Sequence, residues 1–209
     1  MPVSVDAWGV DLAADLGVPD DPVGVVVFAH GSGSSRHSVR NRVVAESLRS
    51  DGFATLLLDL LTEREEQEDR VTGQLRFDIG LLAERVAASV EWTSRARPTR
   101  GLPIGLFGAS TGAAAALVAA AGTYLVRAVV SRGGRPDLAG GALARVRAPT
   151  LLVVGGRDEQ VLELNRVAAG QLVATWRLEV VDGATHLFEE PGALDDVAYL
   201  AGRWFHQYL

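Results

Sequence analysis

Three short stretches of this 209-residue sequence carry side chains that could break an acyl bond together: GLFGASTG (105–112), GGRDEQV (155–161) and DGATHLFEEPG (182–192). The first sets Ser110 in a Gly-x-Ser-x-Gly frame between Gly108 and Gly112. A serine hydroxyl is a poor nucleophile until a base takes its proton, and that base needs an acid to orient it. The frame has a steric cause. A nucleophile presented on a sharp strand-to-helix turn needs neighbours without bulk two positions away, so that the backbones can cross. IGLF ahead of the turn reads as strand, and AAAALVAAA behind it is a strong helix former.

The same glycines could instead cradle a pyrophosphate at a helix N-terminus, and GASTG does look like the turn of short-chain dehydrogenases. That chemistry fails on its other requirements. A dinucleotide fold opens with its glycine loop and places an acid about 20 residues on, for the ribose. Here the loop follows two strand–helix units, and VVSRGG (129–134) puts Ser131 and Arg132 where the acid is wanted. The Tyr-x-x-x-Lys pair of those dehydrogenases and the phosphate-binding P-loop both need a lysine. All 20 basic residues are arginine.

For a serine nucleophile on such a turn the chain order is Ser, then Asp or Glu, then His. Of the four histidines, only His186 lies downstream of Ser110 and just past a strand. His206 belongs to a terminal helix, and His30 and His37 precede the serine. Asp158 ends the strand LLVVGG and is the preferred acid, with Asp137 in RGGRPDL as its rival. Glu189 and Glu190 read as residues at the start of the last helix, suited to its dipole. The oxyanion of a tetrahedral intermediate needs two preorganised N–H donors. The expected donors are the backbone amides of Thr111, which follows the nucleophile, and of Ser32 in the loop HGSGSSRHS (30–38).

The elements that must position these groups alternate. VGVVVFAH (23–30), FATLLLDL (53–60), PIGLFGAS (103–110), VRAVVSRG (126–133), PTLLVVGGRD (149–158) and WRLEVVDG (176–183) read as strands. SVRNRVVAESLRSDG (38–52), LRFDIGLLAERVAASVEWTS (75–94) and LDDVAYLAGRWFHQYL (194–209) read as helices. This rhythm predicts an α/β fold, a mostly parallel doubly wound sheet, over residues 1–209 as one domain. The segment 3–19 is expected as a hairpin added antiparallel at one edge, and TEREEQEDR (62–70) as a solvated loop. Between the fourth and fifth parallel strands, residues 133–149 have room for one short helix, so no cap domain is expected.

Composition narrows the function classes. With 48% hydrophobic and 22% charged residues the chain can bury a core, and a net charge of −6 argues against a nucleic-acid partner. The absence of cysteine excludes disulfides, thiolate metal sites and a cysteine nucleophile. Neither a signal peptide nor an apolar run long enough to span a bilayer is apparent, so a cytoplasmic protein without a membrane partner is expected. No metal or organic cofactor is required by the chemistry above.

Together HGSGSSRHS, GASTG, GGRDEQV and GATHLFEEPGAL resemble the dienelactone hydrolase-like branch of the α/β-hydrolases, from about Val23 to Leu209. The resemblance implies the α/β-hydrolase fold and hydrolysis of a small-molecule acyl substrate. Dienelactone hydrolases proper carry cysteine where this chain has Ser110, so the dienelactone substrate does not carry over. With no lid, the site is expected to be shallow and to prefer acyl chains of roughly two to six carbons, since little wall is available to bury methylenes. The acidic tract is expected to disfavour anionic substrates weakly.

Overall fold

A computed structural model describes residues 1–209. Eight strands form one sheet: β1 (Pro2–Asp6), β2 (Asp11–Gly17), β3 (Gly24–Ala29), β4 (Phe53–Leu58), β5 (Ile104–Ala109), β6 (Val126–Arg132), β7 (Thr150–Gly155) and β8 (Trp176–Val181). Their spatial order is β1-β2-β4-β3-β5-β6-β7-β8. The pairs β1–β2 and β2–β4 are antiparallel, and all others are parallel. The expected edge hairpin and doubly wound sheet are therefore both present. Order reverses between β3 and β5, the switch point at which open α/β sheets bind ligands.

Six helices cover the sheet: α1 (Val39–Ser50), α2 (Glu63–Thr72), α3 (Ile79–Arg95), α4 (Thr111–Ala121), α5 (Glu159–Ala169) and α6 (Ala193–Tyr208). The central strands are buried on both faces, and their side chains alternate between two apolar layers. Val25, Val27 and Leu106 meet Val86 and Val90 of α3 and Ala114–Leu117 of α4. Val26, Phe28 and Phe107 meet Leu48 of α1 and Val197, Trp204 and Phe205 of α6. Helix α4 is alanine-rich because it is buried nearly all round, between α3 and the sheet. Small side chains let it sit that close.

Three local expectations are corrected. The acidic tract is a helix, α2, and its start is a capping box: the Glu65 amide donates to Thr62 Oγ1 at 3.2 Å, and the Thr62 amide to Glu65 Oε2 at 2.8 Å. Two orphan amides are thereby satisfied, Gly73 closes the helix in the left-handed region, and acids in the first turn suit the dipole. Helix α3 starts at Ile79 rather than Leu75, because the Asp78 side chain caps the Leu81 amide at 3.0 Å and Leu75–Phe77 forms a separate 3-10 turn. Glu189 and Glu190 lie before α6, whose first-turn acids are Asp195 and Asp196. Glu189 instead reaches Arg40 of α1 at 3.3 Å.

Between β6 and β7 only a 3-10 segment, Pro136–Arg145, intervenes, so the carboxyl end of the sheet carries no cap. The tightest approach of glycine to backbone there lies where α4 leaves the sheet. A Cβ on Gly112 would stand 2.3 Å from the carbonyl oxygens of both Ala29 and His30. Backbone cannot yield as a side chain would. Gly112→Ala is expected to destabilise the protein by at least about 2 kcal/mol, read from the denaturant midpoint. A shift below about 0.5 kcal/mol would mean that α4 has slack which this packing denies.

Candidate active site

Ser110 is the pivot between β5 and α4. Its backbone stands at φ 51°, ψ −122°, a region that costs a non-glycine residue about 1–3 kcal/mol. Neighbouring chain over-determines that geometry. The Ser110 amide donates to Arg132 O at 3.3 Å, and Ser110 O accepts from the amides of Ala113 and Arg135, each at 3.1 Å. Gly108 and Gly112 are both required by contact: a Cβ on Gly108 would fall 2.4 Å from Ala113 Cα. The predicted Gly-x-Ser-x-Gly crossing is thus physically present.

Asp158 and His186 come together from separate loops at the carboxyl ends of β7 and β8. His186 Nδ1 lies 2.6 Å from Asp158 Oδ2, and Asp158 is 15% exposed against 38% for the ring. The two loops are zipped by their backbones, since the Arg157 amide donates to Ala184 O at 2.9 Å. Asp158 occupies the N-cap position of α5 yet caps no amide, which leaves its carboxylate for the imidazole. With Nδ1 donating to that carboxylate, Nε2 is the basic nitrogen. Asp137, the rival acid, is held in a fork by Arg135 at 2.9 and 2.7 Å and does not reach the ring.

Ser110 and His186 line one cleft of about 240 Å³ at the switch point. No hydrogen bond joins the Ser110 hydroxyl to the ring; catalytic hydrogen bonds often tighten only in the Michaelis complex. Ser32 also lines the cleft, whereas Thr111 is buried and does not. The Thr111 amide opens α4 and so has no intrahelical acceptor, whereas the Ser32 amide donates to Thr111 Oγ1 at 2.9 Å. An oxyanion would have to draw the Ser32 N–H away from that hydroxyl.

Two features escape a reading of the sequence alone. His30 is a structural pin rather than a spectator. Its Nδ1 donates to Gly31 O at 2.9 Å and its Nε2 accepts the Leu60 amide at 3.1 Å, which fixes the first loop against β4. Both contacts need the neutral ring, and burial lowers its pKa below the ordinary value. The second feature is the charge of the cleft. No acid of the 62–70 tract lines it, and its charged walls are Arg40 and Arg132, contrary to the expected repulsion of anions. An arginine closing the apolar run VRAVVSR (126–132) was the one available signal.

An open α/β sheet with a strained serine crossing at the end of its fifth strand defines the α/β-hydrolase class. Within it, the chain belongs to the dienelactone hydrolase family, whose sequence profile matches residues 12–206. A dienelactone hydrolase from Anabaena variabilis has a crystal structure 55% identical in sequence, with a TM-score of 0.98 over 100% of this chain and 97% of that one. Est1E from Butyrivibrio proteoclasticus shares the fold at 17% identity, with a TM-score of 0.81 over 99% and 98% of the two chains. Curated relatives from two strains of Mycobacterium tuberculosis, provisionally named phosphoribosyl transferases, are 59% identical over 208 residues, 99% of this chain and 46% of theirs. The chain therefore spans about half their length. No helix is long and apolar enough to cross a membrane.

The His30 pin has a signed consequence. Its folded pKa is lowered, so below about pH 6.5 the unfolded chain takes up a proton that the folded one refuses. Stability should fall as pH drops through that value, by at most about 1.4 kcal/mol per unit from this group. His30→Asn should lose that component, giving a shallower dependence of the melting temperature between about pH 7 and 5. Identical pH slopes for the two proteins would remove His30 from the account.

Proposed function

We propose that the chain is a serine hydrolase that cleaves small carboxylic esters or related acyl compounds through an acyl-enzyme. The observation that carries this reading is the meeting, in one cleft, of a strained, half-buried serine with an imidazole already oriented by a carboxylate at 2.6 Å. Family membership supports hydrolysis. The transferase name of the mycobacterial relatives belongs to proteins of which more than half lies outside the match.

In this reading Ser110 Oγ attacks the acyl carbonyl while His186 Nε2 takes its proton. Asp158 holds the ring in the required tautomer and stabilises the imidazolium. The negative oxygen is received by the Thr111 amide and, once released from Thr111 Oγ1, by that of Ser32. The His186 proton then passes to the leaving group. Water, deprotonated by the same ring, attacks the acyl-serine and returns the free enzyme. A thioesterase or acyltransferase would share the acyl-serine and differ only in leaving group or acceptor. A catalytically idle module would not form it.

Ser110→Ala should lose turnover of 4-nitrophenyl acetate by several orders of magnitude while keeping its melting temperature, because triad members act as a unit. Retention of about a tenth of the activity would sink the assignment. Asp158→Asn should cost on the order of 10⁴ in kcat by favouring the wrong tautomer. Asp137→Asn, which only releases Arg135, should cost far less, and a reversal of the two would move the acid to Asp137. Across a chain-length series of neutral esters, kcat/KM should peak at about two to six acyl carbons, since only Ala109 and Leu187 offer the cleft apolar wall. A peak at about ten carbons would reveal a channel that these walls do not form.

A further inference from the structure

Helix α5 carries an asparagine where the helix itself gains nothing from one. Asn165 lies about two turns beyond Asp158 and is fully buried, at 0% exposure. Asparagine is a weak helix former, and here its Oδ1 is buried with no partner, which is costly. Leucine or alanine would serve that face of α5 better. The side-chain nitrogen shows what the residue supplies instead. Nδ2 donates to Val161 O of its own helix at 2.8 Å and to Gly134 O at 2.9 Å. Both neighbours are carbonyl oxygens, so the nitrogen must be the atom that faces them. No backbone amide reaches the Gly134 carbonyl.

Gly134 belongs to the loop that leaves β6, Gly133 to Arg135, and this loop touches the surroundings of each triad member. The Arg135 amide donates to Ser110 O at 3.1 Å, one of the two bonds that hold the carbonyl of the strained nucleophile. Gly133 lies against the loop after β8: a Cβ there would stand 3.1 Å from His186 O and 3.7 Å from Cε1 of the ring. The Gly133 amide donates at 2.8 Å to Val153 O of β7, the strand that leads to Asp158. Gly134 is wedged, since a Cβ on it would collide with Ser131 Oγ and stand 2.6 Å from Ala113 Cβ in the first turn of α4. Asn165 is the one side chain that bonds this loop to α5, the helix whose N-cap is Asp158.

We propose that Asn165 is a positioning residue for the triad: by holding the Gly134 carbonyl it braces the 133–135 loop, and through it the Ser110 carbonyl and the His186 loop, against the helix that Asp158 begins. The unfavourable backbone of Ser110 persists only while the surrounding chain over-determines it. Release of Gly134 O slackens the Arg135 amide and, with it, the Ser110 carbonyl. A misplacement of about 1 Å at a reacting group can cost on the order of 100-fold in rate. The catalytic part of this proposal rests on the reading of Ser110 as nucleophile; the brace itself does not.

Asn165→Thr isolates the contact. A helical threonine can bond the carbonyl four residues back, as Thr93 Oγ1 does to Ser89 O at 2.7 Å in α3, so Val161 O keeps a donor while Gly134 O loses its own. Asn165→Leu removes both bonds. Thr93→Val, buried near the end of α3 that leads back to the start of β5, controls for the loss of a buried hydrogen bond as such. Two measurements are made on the full-length proteins: the concentration dependence of Ser110 labelling by a fluorophosphonate, and amide hydrogen exchange over residues 133–137. Both Asn165 variants should label about tenfold or more slowly at saturation, with the half-saturating concentration within about twofold of wild type. Exchange at Arg135 should quicken by about tenfold or more, and Thr93→Val should change neither quantity. Labelling at the wild-type rate in the Asn165 variants would overturn the proposal. An equal slowing in Thr93→Val would overturn it too, by making the loss one of general stability. A wild type that the fluorophosphonate does not modify would defeat the reading of Ser110 instead. Exchange then decides the brace: quickening in the Asn165 variants upholds it and unchanged protection strikes it. Should Asn165→Leu fail to fold, Asn165→Thr alone decides each comparison, because it leaves α5 its own hydrogen bond.

Discussion

Everything in the site hangs on one close crossing, where β5 turns into α4 under the carbonyls at the end of β3. Two glycines make the approach possible, and a Cβ on either would meet backbone at 2.4 Å or less. That approach forces Ser110 into positive φ and turns its side chain to the carboxyl edge of the sheet. The unfavourable conformation persists because the chain around it is held elsewhere: by the β5–β6 ladder, by the alanine-rich helix packed behind, and by the amides of Ala113 and Arg135 on its carbonyl. Strain at the nucleophile is thus offset by regular structure on both sides of it.

The remaining groups are added to that pivot by loops whose own geometry is fixed by hydrogen bonds. His30 donates from Nδ1 to Gly31 O within the first loop and ties that loop to the end of β4 through Nε2, which accepts the Leu60 amide. The Arg157–Ala184 bond brings the loops after β7 and β8 within reach of one another, and the Asp158–His186 contact follows from it. The cleft that results is polar and cationic. Its hydroxyl-rich floor comes from the Gly/Ser loop and its charge from α1 and β6, while two acids of α2 are tied elsewhere, Glu65 to Arg85 at 2.9 Å and Asp69 to Arg76. A protein of net charge −6 therefore presents a locally positive site.

The family and its structural relatives place this arrangement on a common scaffold, and they leave its chemistry to be argued from its own side chains. A dienelactone hydrolase more than half identical in sequence superposes over the whole chain. Est1E, sharing under a fifth of the sequence, has the same fold over nearly its whole length. The cleft of this chain holds a serine at the crossing, two arginines, and apolar wall from Ala109 and Leu187.

Local pattern in the sequence determined the sheet, the edge hairpin, the absence of a cap, and the positions of Ser110 and His186. Each rests on a rule that acts over a few residues: β-branched runs buried on both faces, glycines two places from a turn, acids and histidines just past strand ends. The capping box in TERE was equally legible at Thr62 and Glu65, and only the weight given to a run of charges hid it. Tertiary structure alone decided which acid faces the imidazole, because Asp137 and Asp158 both follow strands and differ only in that Arg135 captures the first. It alone decided that His30 is neutral, since its burial and the Leu60 amide that its Nε2 accepts come from a segment 30 residues away. The fate of Arg132 was likewise undetermined by its neighbours in sequence. Whether a charged residue at a strand end is paired, solvated or left facing a cleft depends on what α1 and the His186 loop bring to it, and that is a property of the packed molecule.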